Sequence, residues 1–253
     1  MHSVKVIKIG GKIAEDDASL ERFLYQISLM RGKKVLVHGG GVTATRIAEK
    51  LGIESEMIEG RRITSAKMLE VATMVYGGLI NKKIVAKLQQ KHVYAVGLTG
   101  ADLNIVQSIK RSPEPIDFGW VGDISSVNHR VLTNMLELDW VPVLAPLTHD
   151  GNGNMLNTNA DSIASYVARA LSENFHVELI LCFDKPGVMN GDKVVTEMNL
   201  YLYRHLKGLD IINNGMIPKL DLGFKALKAG VNRVTIKHAD DIKDSTKGTR
   251  LVK

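Results

Sequence analysis

Two lysines and two glycine-rich turns have the residue types and the spacing that phosphate chemistry needs. Lys8 precedes a glycine pair at 10–11 near the end of an apolar run, and a second glycine run at 39–41 follows the apolar run 35–37. Glycines at strand ends let backbone N–H groups approach phosphate oxygens, and a helix that begins there adds its dipole. Lys219 follows Pro218 at a predicted helix start, where a cation opposes that dipole. Such conflicts concentrate at functional sites, so we expect a site for a highly charged phosphate chain.

A polar run at 157–161 begins another predicted helix. Simple capping of that helix would use one side chain, whereas Asn157, Asn159 and Asp161 offer several hydrogen-bonding groups. We therefore interpret the run as part of the site. The histidines show no metal-ligand spacing, so no metal ligand is predicted, and His38 is interpreted as a structural hydrogen-bonding residue rather than a base.

Composition and motifs argue against several other classes. The net charge of +6 invites a nucleic-acid interpretation, but the basic residues are scattered and aromatic residues make up only 5% of the chain. We therefore predict no nucleic-acid partner. The run from Gly39 to Ala44 formally matches the dinucleotide fingerprint, yet the acidic residue at about the right distance, Glu59, sits in a loop-like stretch. The Walker pattern is absent, so a nucleotide site would not be of the P-loop type.

The single cysteine and the hydropathy predict a location. Cys182 lies in an apolar run, where we expect a buried strand residue, and one cysteine excludes a disulfide within the chain. The chain enters a strand pattern by Val4, without a signal peptide, and has no uncharged apolar stretch that would span a bilayer. We expect a cytoplasmic protein with no membrane partner.

Apolar runs of strand type alternate with helical patterns along the chain. The strand runs are 4–9, 35–37, 95–98, 141–144, 177–181 and 234–236, and the helical patterns are 18–30, 43–51, 65–90, 127–138, 161–171 and 217–229. This alternation predicts the α/β class, a three-layer αβα sandwich with a central, mainly parallel sheet. The segments 103–125, 147–158 and 187–197 break the rhythm and are predicted as hairpins or long loops, the first as an edge ribbon.

Five motifs, in this order, resemble the amino-acid kinase family. They are Lys8-Ile9-Gly10-Gly11, His38-Gly39-Gly40-Gly41, Gly60-Arg61-Arg62-Ile63-Thr64, Asn157-Thr158-Asn159-Ala160-Asp161 and Gly215-Met216-Ile217-Pro218-Lys219. The resemblance extends from about residue 4 to residue 250 and implies an eight-stranded central sheet. It also implies ATP-dependent phosphorylation of the γ-carboxylate of an N-acyl-L-glutamate, with N-acetyl-L-glutamate as the first choice, in arginine biosynthesis.

The resemblance assigns roles to individual residues. Lys8 and Lys219 would be the catalytic cations, and Asp161 would orient both of them. Substrate binding would fall to Gly40, Gly41, Arg62, Asn157 and Asn159, and nucleotide binding to Gly10, Gly11, Asp184, Gly187, Gly215 and Met216. The implied cofactor is ATP with Mg²⁺, the metal riding mainly on ATP oxygens.

The resemblance also implies an organisation of the chain. Residues 1–253 would form a single kinase domain, with an acylglutamate-binding and dimerisation lobe over about 1–174 and a nucleotide lobe over about 175–253. Because the chain enters its first strand almost at once, we expect a homodimer that is insensitive to arginine.

Two departures from the family pattern leave alternatives open. Phe183 stands where a serine is common in the nucleotide loop, which leaves the contacts of Asp184 open. Arg61 stands where the family often has an apolar residue; it either points to solvent or faces the acyl pocket, where it would favour N-succinylglutamate. Kinases of aminoadipate derivatives, carbamate, aspartate or uridine monophosphate remain alternatives, as does a catalytically silent ligand sensor. The presence of Lys8, Asp161 and Lys219 together disfavours the sensor.

Overall fold

The computed structural model describes residues 2–58, 61–212 and 215–253. The strands in these ranges are β1 Ser3–Ile9, β2 Lys33–His38, β3 Met57–Ile58, β4 Arg61–Arg62, β5 Ala95–Leu98, β6 Val106–Lys110, β7 Gly122–Val127, β8 Val141–Leu144, β9 Leu147–His149, β10 Met155–Asn157, β11 His176–Phe183, β12 Met189–Asn190, β13 Lys193–Val194, β14 Glu197–Met198, β15 Arg233–His238 and β16 Thr249–Leu251. The α-helices are α1 Gly11–Glu15, α2 Asp17–Leu29, α3 Gly41–Lys50, α4 Ala66–Ala72, α5 Asn81–Gln89, α6 His129–Glu137, α7 Ala160–Leu171, α8 Leu200–Gly208 and α9 Ile217–Lys228.

Eight strands form the central sheet, in the order β14-β16-β15-β11-β1-β2-β8-β5. The six neighbours from β15 to β5 are parallel, whereas β16 runs antiparallel to β15. Parallel strands must be covered on both faces, which explains why their sequences are continuous apolar runs. The eight strands implied by the family resemblance are therefore present in the described residues.

The two faces of β1 bury different apolar clusters. Val4 and Val6 pack in a cluster that includes residues of α6, α7 and α9. Ile7 and Ile9 pack in a second cluster with residues of α2, α3, α4 and α5. Successive strand residues point to opposite faces, so Lys8 is on the same face as Val4 and Val6. The predicted three-layer α/β class is confirmed.

The segments that broke the strand–helix rhythm form additional small sheets. The segment 103–125 contains β6 and most of β7, which pair antiparallel, but this ribbon belongs to a separate four-stranded sheet, β10-β9-β6-β7, rather than to an edge of the central one. The expected edge placement was wrong because β6 finds its second partner in β9, a pairing between residues far apart in the chain. The predicted hairpin at 187–197 is present as β12 and β13.

One helical run differs from its predicted form. The pattern 65–90 predicted a single helix, and the structure divides it into α4, a π-helical segment over Thr73–Ile80 and α5. π-Helical turns are rare and often occur at functional sites. None of the described helices combines the length and the apolar character that crossing a bilayer would require.

Candidate active site

The two predicted glycine turns lie side by side at the carboxyl ends of β1 and β2. The strands are adjacent and parallel, so Ile9 of β1 pairs with His38 of β2. Gly10 N–H donates to the Cys182 carbonyl at 3.1 Å, and Gly39 N–H donates to the Ile9 carbonyl at 3.2 Å. These bonds hold each turn against a neighbouring strand end.

Backbone amides converge between the two turns. A Cβ added to Gly11 would lie 3.5 Å from the nitrogen of Gly40 and 3.7 Å from that of Gly41. A Cβ on Gly39 would lie 3.0 Å from the nitrogen of Gly11. Helix α1 begins at Gly11 and α3 at Gly41, and the first amides of a helix have no intrahelical acceptor. The space between the turns is therefore suited to anionic oxygens.

A buried carboxylate bridges the two predicted lysines. Lys8 Nζ lies 2.8 Å from Asp161 Oδ1, and Lys219 Nζ lies 2.6 Å from Asp161 Oδ2. Lys8 is on β1, Asp161 is in the first turn of α7 and Lys219 is in the first turn of α9. Lys8 and Asp161 retain only 7% and 5% of their surface exposed. The structure thus brings together three residues that are far apart in the sequence.

The charges in this cluster depend on one another. Burial by itself would raise the pKa of Asp161, but the ammonium groups of Lys8 and Lys219 overcome this and lower it well below its ordinary value. Burial lowers the pKa of Lys8, and Asp161 opposes that shift. One carboxylate faces two ammonium groups, so the cluster carries one uncompensated positive charge next to the converging amides.

A cavity of about 860 Å³ opens beside the lysines. Both lysines line it. The predicted nucleotide-binding residues line it as well, namely Gly10, Gly11, Asp184, Gly187, Gly215 and Met216. Phe183 also lines the cavity. Asp184 Oδ2 lies 2.7 Å from Lys12 Nζ, and both side chains are substantially exposed.

Arg62 is buried behind the second glycine turn. Its Nη2 donates to the Gly41 carbonyl at 2.8 Å and to Thr45 Oγ1 at 2.7 Å, and its Nη1 donates to Ser55 Oγ. Within the ranges that the structure covers, no carboxylate lies within ion-pair distance of Arg62, which is only 8% exposed. A buried guanidinium without an acidic partner is suited to an anionic ligand.

The remaining predicted substrate residues differ in their surroundings. Asn157 is half-buried, and its Nδ2 donates to Thr64 Oγ1 at 3.0 Å. Asn159 is exposed and caps α7, its Oδ1 accepting from Ser162 N–H at 3.0 Å, which is the simple capping role. Arg61 is exposed, whereas its neighbour Arg62 on β4 is buried; this contrast favours the solvent-facing alternative for Arg61. Substrate contacts of these residues stay predictions.

Comparison with known proteins identifies the family. Residues 3–238 match the model of the amino acid kinase family. The chain belongs to the amino acid kinase family. Curated relatives include a protein of Bacteroides thetaiotaomicron named acetylglutamate kinase, 51% identical over 98% of both chains. A Cytophaga hutchinsonii protein of the same name is 48% identical and is covered over 99% of its length.

Solved structures share the amino acid kinase fold. A crystal structure of smu.665 from Streptococcus mutans UA159 has a TM-score of 0.82 at 29% identity, with 98% of each chain covered. Carbamate kinase from Giardia lamblia bound to AMP-PNP has a TM-score of 0.72 at 15% identity, with 100% of this chain and 98% of that chain covered. The second likeness concerns the fold alone.

The sequence analysis did not single out several residues that lie near the candidate site. Lys12 follows the first glycine pair directly, a position that could have drawn attention to it. Glu15 accepts from Thr43 N–H at 2.8 Å, at the start of α3, and Tyr76 packs beside Gly40. Burial raises the pKa of Tyr76, and the nearby Arg62 opposes that shift. No local pattern distinguishes Glu15 or Tyr76, because only the packing of α1 and the π-helical segment brings them there.

Buried groups outside the cluster have the structural roles that the sequence predicted. Cys182 is 1% exposed in β11, and burial raises its thiol pKa to about 12. His38 is fully buried and hydrogen-bonded through both ring nitrogens. Among the described residues, no group of three or more His, Cys, Asp or Glu side chains could hold a metal ion.

Proposed function

We propose that this chain transfers the γ-phosphoryl group of ATP to the γ-carboxylate of N-acetyl-L-glutamate, as a step of arginine biosynthesis. The observation that carries the proposal is the Lys8–Asp161–Lys219 cluster beside the converging amides of the two glycine turns. The choice of acceptor is supported by full-length relatives that are named acetylglutamate kinase.

The cluster has the charge that such a reaction needs. A carboxylate oxygen of the substrate attacks the γ-phosphorus, the bond to the bridging oxygen breaks, and ADP leaves with the electron pair. Because phosphoryl transfer spreads negative charge over oxygens, catalysis is mainly positioning and electrostatic stabilisation. Lys8 and Lys219 supply the cations, and Asp161 holds them in place. The γ-carboxylate, with an ordinary pKa of about 4.3, is already ionised at neutral pH, so no general base is required.

The substrate would lie against the second glycine turn. Arg62 would be the buried cation for the α-carboxylate. A guanidinium binds a carboxylate best through two parallel hydrogen bonds, and here such a contact would replace a bond that Nη2 donates to Gly41 or Thr45. Asn157 would add a hydrogen bond, and the amides of Gly40 and Gly41 would hold carboxylate oxygens. Asn159 would contribute through its placement of the start of α7.

The nucleotide would occupy the 860 Å³ cavity. Gly10, Gly11, Asp184, Gly187, Gly215 and Met216 all line this cavity together with Lys8 and Lys219. Mg²⁺ would arrive on the ATP oxygens, because Asp161 is already engaged by two lysines. We propose an acylglutamate-binding and dimerisation lobe over about 1–174 and a nucleotide lobe over about 175–253, with Gly10 and Gly11 of the first lobe also lining the nucleotide cavity.

We further propose a cytoplasmic homodimer. The π-helical segment exposes Met74 and Leu79 at 57% and 53%, which is apolar surface available to a second copy. Sedimentation velocity of the wild-type chain and of Met74→Glu tests this: we expect a dimer that the substitution dissociates. A wild-type monomer across the micromolar range would contradict the proposal. A cytoplasmic location agrees with an ATP-dependent biosynthetic step and a free thiol.

The decisive assay traps the acyl phosphate with hydroxylamine, using ATP and Mg²⁺ with N-acetylglutamate and N-succinylglutamate in parallel. We expect hydroxamate with N-acetylglutamate and none when ATP is omitted. Product mainly with N-succinylglutamate would show that the substrate carries a succinyl group rather than an acetyl group, and Arg61 would again be a candidate for the acyl pocket. If a folded protein forms no hydroxamate with either compound, the proposed function is contradicted.

A further inference from the structure

A buried hydrogen-bond chain runs behind the second glycine turn. Asn81 Nδ2 donates to the Val143 carbonyl at 2.9 Å and lies 3.2 Å from His38 Nε2, and His38 Nδ1 lies 2.8 Å from the Gly39 carbonyl oxygen. His38 is 0% and Asn81 1% exposed. These hydrogen bonds therefore connect β8 to the second glycine turn through two side chains that are shielded from solvent.

The Val143 carbonyl determines how every proton in this chain is placed. A carbonyl only accepts, so the Asn81 amide must present its NH₂ group to Val143, and the same group faces His38. His38 Nε2 is consequently the acceptor, and the ring proton is on Nδ1, where it donates to Gly39. Burial agrees with an uncharged ring, since it lowers the pKa of His38 to about 4.

The bond to Gly39 orients an amide of the site. The Gly39 carbonyl and the Gly40 N–H belong to one planar trans peptide, so they point in opposite directions. Fixing the carbonyl toward His38 therefore turns the Gly40 N–H away from His38, and the Gly40 nitrogen itself lies beside Gly11. Glycine has no side chain to resist rotation of this peptide, so the hydrogen bond from His38 contributes to fixing its orientation.

We propose that His38 and Asn81 are positioning residues that hold the Gly40 amide in its ligand-binding orientation. The π-helical segment has a part in this arrangement. It ends at Ile80, next to Asn81, and its Tyr76 and Ile80 side chains pack over Gly40. The inference deepens the proposed function and rests on it for its kinetic readout.

Two matched substitutions separate the two ends of the imidazole. In His38→Asn the side-chain amide nitrogen takes about the position of Nδ1 and keeps a donor for Gly39. In His38→Gln the amide reaches about the position of Nε2 and keeps the contact with Asn81 but not the donor to Gly39. Both variants remove the ring, so both should lose similar thermal stability.

We expect His38→Gln to lower kcat/KM by about 10- to 100-fold, since loss of one preorganised donor costs up to about 10²–10³-fold. His38→Asn should recover most of that loss at a similar melting temperature. His149→Gln, at a half-buried hydrogen-bonded histidine of the four-stranded sheet, is the matched control and should leave kcat/KM unchanged. Equal activity of the two His38 variants, in an assay where the wild-type chain is active, would overturn the inference.

A spectroscopic measurement tests the inference without any activity. Long-range ¹H–¹⁵N spectra of the wild-type chain should show His38 neutral near pH 7, with its proton on Nδ1. A proton on Nε2, or a charged ring, would overturn the inference even if the proposed reaction is confirmed. An inactive wild-type chain with the Nδ1 proton in place would instead count against the proposed function alone.

Discussion

Asp161 pairs with two lysines that come from opposite ends of the chain. Each of the three charges would be more unfavourable by itself than it is in the cluster. The carboxylate at the start of α7 is favoured by the helix dipole, whereas Lys219 in the first turn of α9 is opposed by it. Asp161 therefore compensates both the burial of Lys8 and the position of Lys219. This explains how a fold can keep an excess positive charge at a largely buried site.

Lys219→Ala should reduce catalysis with little effect on folding. Asp161 would keep its pairing with Lys8, so we expect kcat to fall by at least about 100-fold while the melting temperature changes little. Circular dichroism melts and the hydroxamate assay measure the two quantities. Lys225→Ala, an exposed lysine in the last turn of the same helix, is the control and should behave as wild type. An active, folded Lys219→Ala chain would contradict the catalytic role.

Asp161→Asn should reveal a pH-dependent contribution to stability. Because the folded-state pKa of Asp161 lies below its ordinary value, the stabilisation is present above about pH 4 and is lost as the pH falls toward the folded-state pKa. We expect the substitution to lower the free energy of unfolding by about 3–5 kcal/mol at pH 7. Urea titrations should show this difference unchanged from pH 8 to pH 5 and smaller at pH 3. A difference that grows toward pH 3 would contradict the assignment.

At the scale of elements, the predictable parts are those that local periodicity determines. The six long apolar runs predicted six strands of the central sheet, and the glycine turns predicted where α1 and α3 begin. The sequence did not reveal β14 and β16, because each of these short strands contains a charged residue and forms no apolar run. The π-helical segment was also missed, since its sequence has the same apolar spacing as an ordinary helix.

The side chains of the site likewise divide into those that the sequence analysis found and those that it missed. Lys8 and Lys219 were found because each has a charge in an unlikely local setting, whereas Arg62 was found only through the motif at 60–64 that resembles the family. Lys12 and Asn81 were missed because they contact partners, Asp184 and His38, that are distant in sequence. Pairings of that kind follow from the topology of the sheet, which a single sequence does not contain.

Helix α1 places Lys12 in the lining of the 860 Å³ cavity, paired with Asp184. A nucleotide phosphate would compete with Asp184 for this exposed ammonium. We expect Lys12→Ala to raise the KM for ATP by about 3- to 10-fold with kcat nearly unchanged, the pattern of lost uniform binding. Lys83→Ala, which removes a half-buried lysine that is also paired with an aspartate, is the control and should leave both constants unchanged. A larger effect on kcat than on KM would contradict this role.

The π-helical segment leaves no room for a side chain at Gly40 of the second glycine turn. A Cβ on Gly40 would lie 2.5 Å from Ile80 Cδ1 and 2.9 Å from Tyr76 Cδ1. We expect Gly40→Ala to cost about 1–3 kcal/mol of stability through overpacking. Gly78→Ala, in the same segment with open space at its Cβ, is the matched control and should cost nothing. Chemical denaturation measures both, and equal stabilities would contradict the steric account.

For the whole molecule, Cys182 reports on opening of the central sheet. It lies in β11, the neighbour of β1, and burial raises its pKa to about 12. We expect a maleimide to label the folded chain at least about 100-fold more slowly than the urea-unfolded chain, since the reactive species is an accessible thiolate. ATP with acylglutamate should slow labelling further by mass action. Labelling of the native chain at the rate of the unfolded chain would show that the sheet opens freely.

The position of β1 in the middle of the sheet has a consequence during synthesis on the ribosome. Its first partner, β2, emerges shortly after it, but its second partner, β11, is made only after residue 175. At about 5–20 residues per second, the free edge of β1 waits roughly 10 to 30 s for that partner. Throughout this interval an apolar strand with unpaired backbone groups is available to chaperones or to β1 of a neighbouring nascent chain on the same messenger. Among the described strand pairings, the strand that carries Lys8 therefore has the longest wait for a partner.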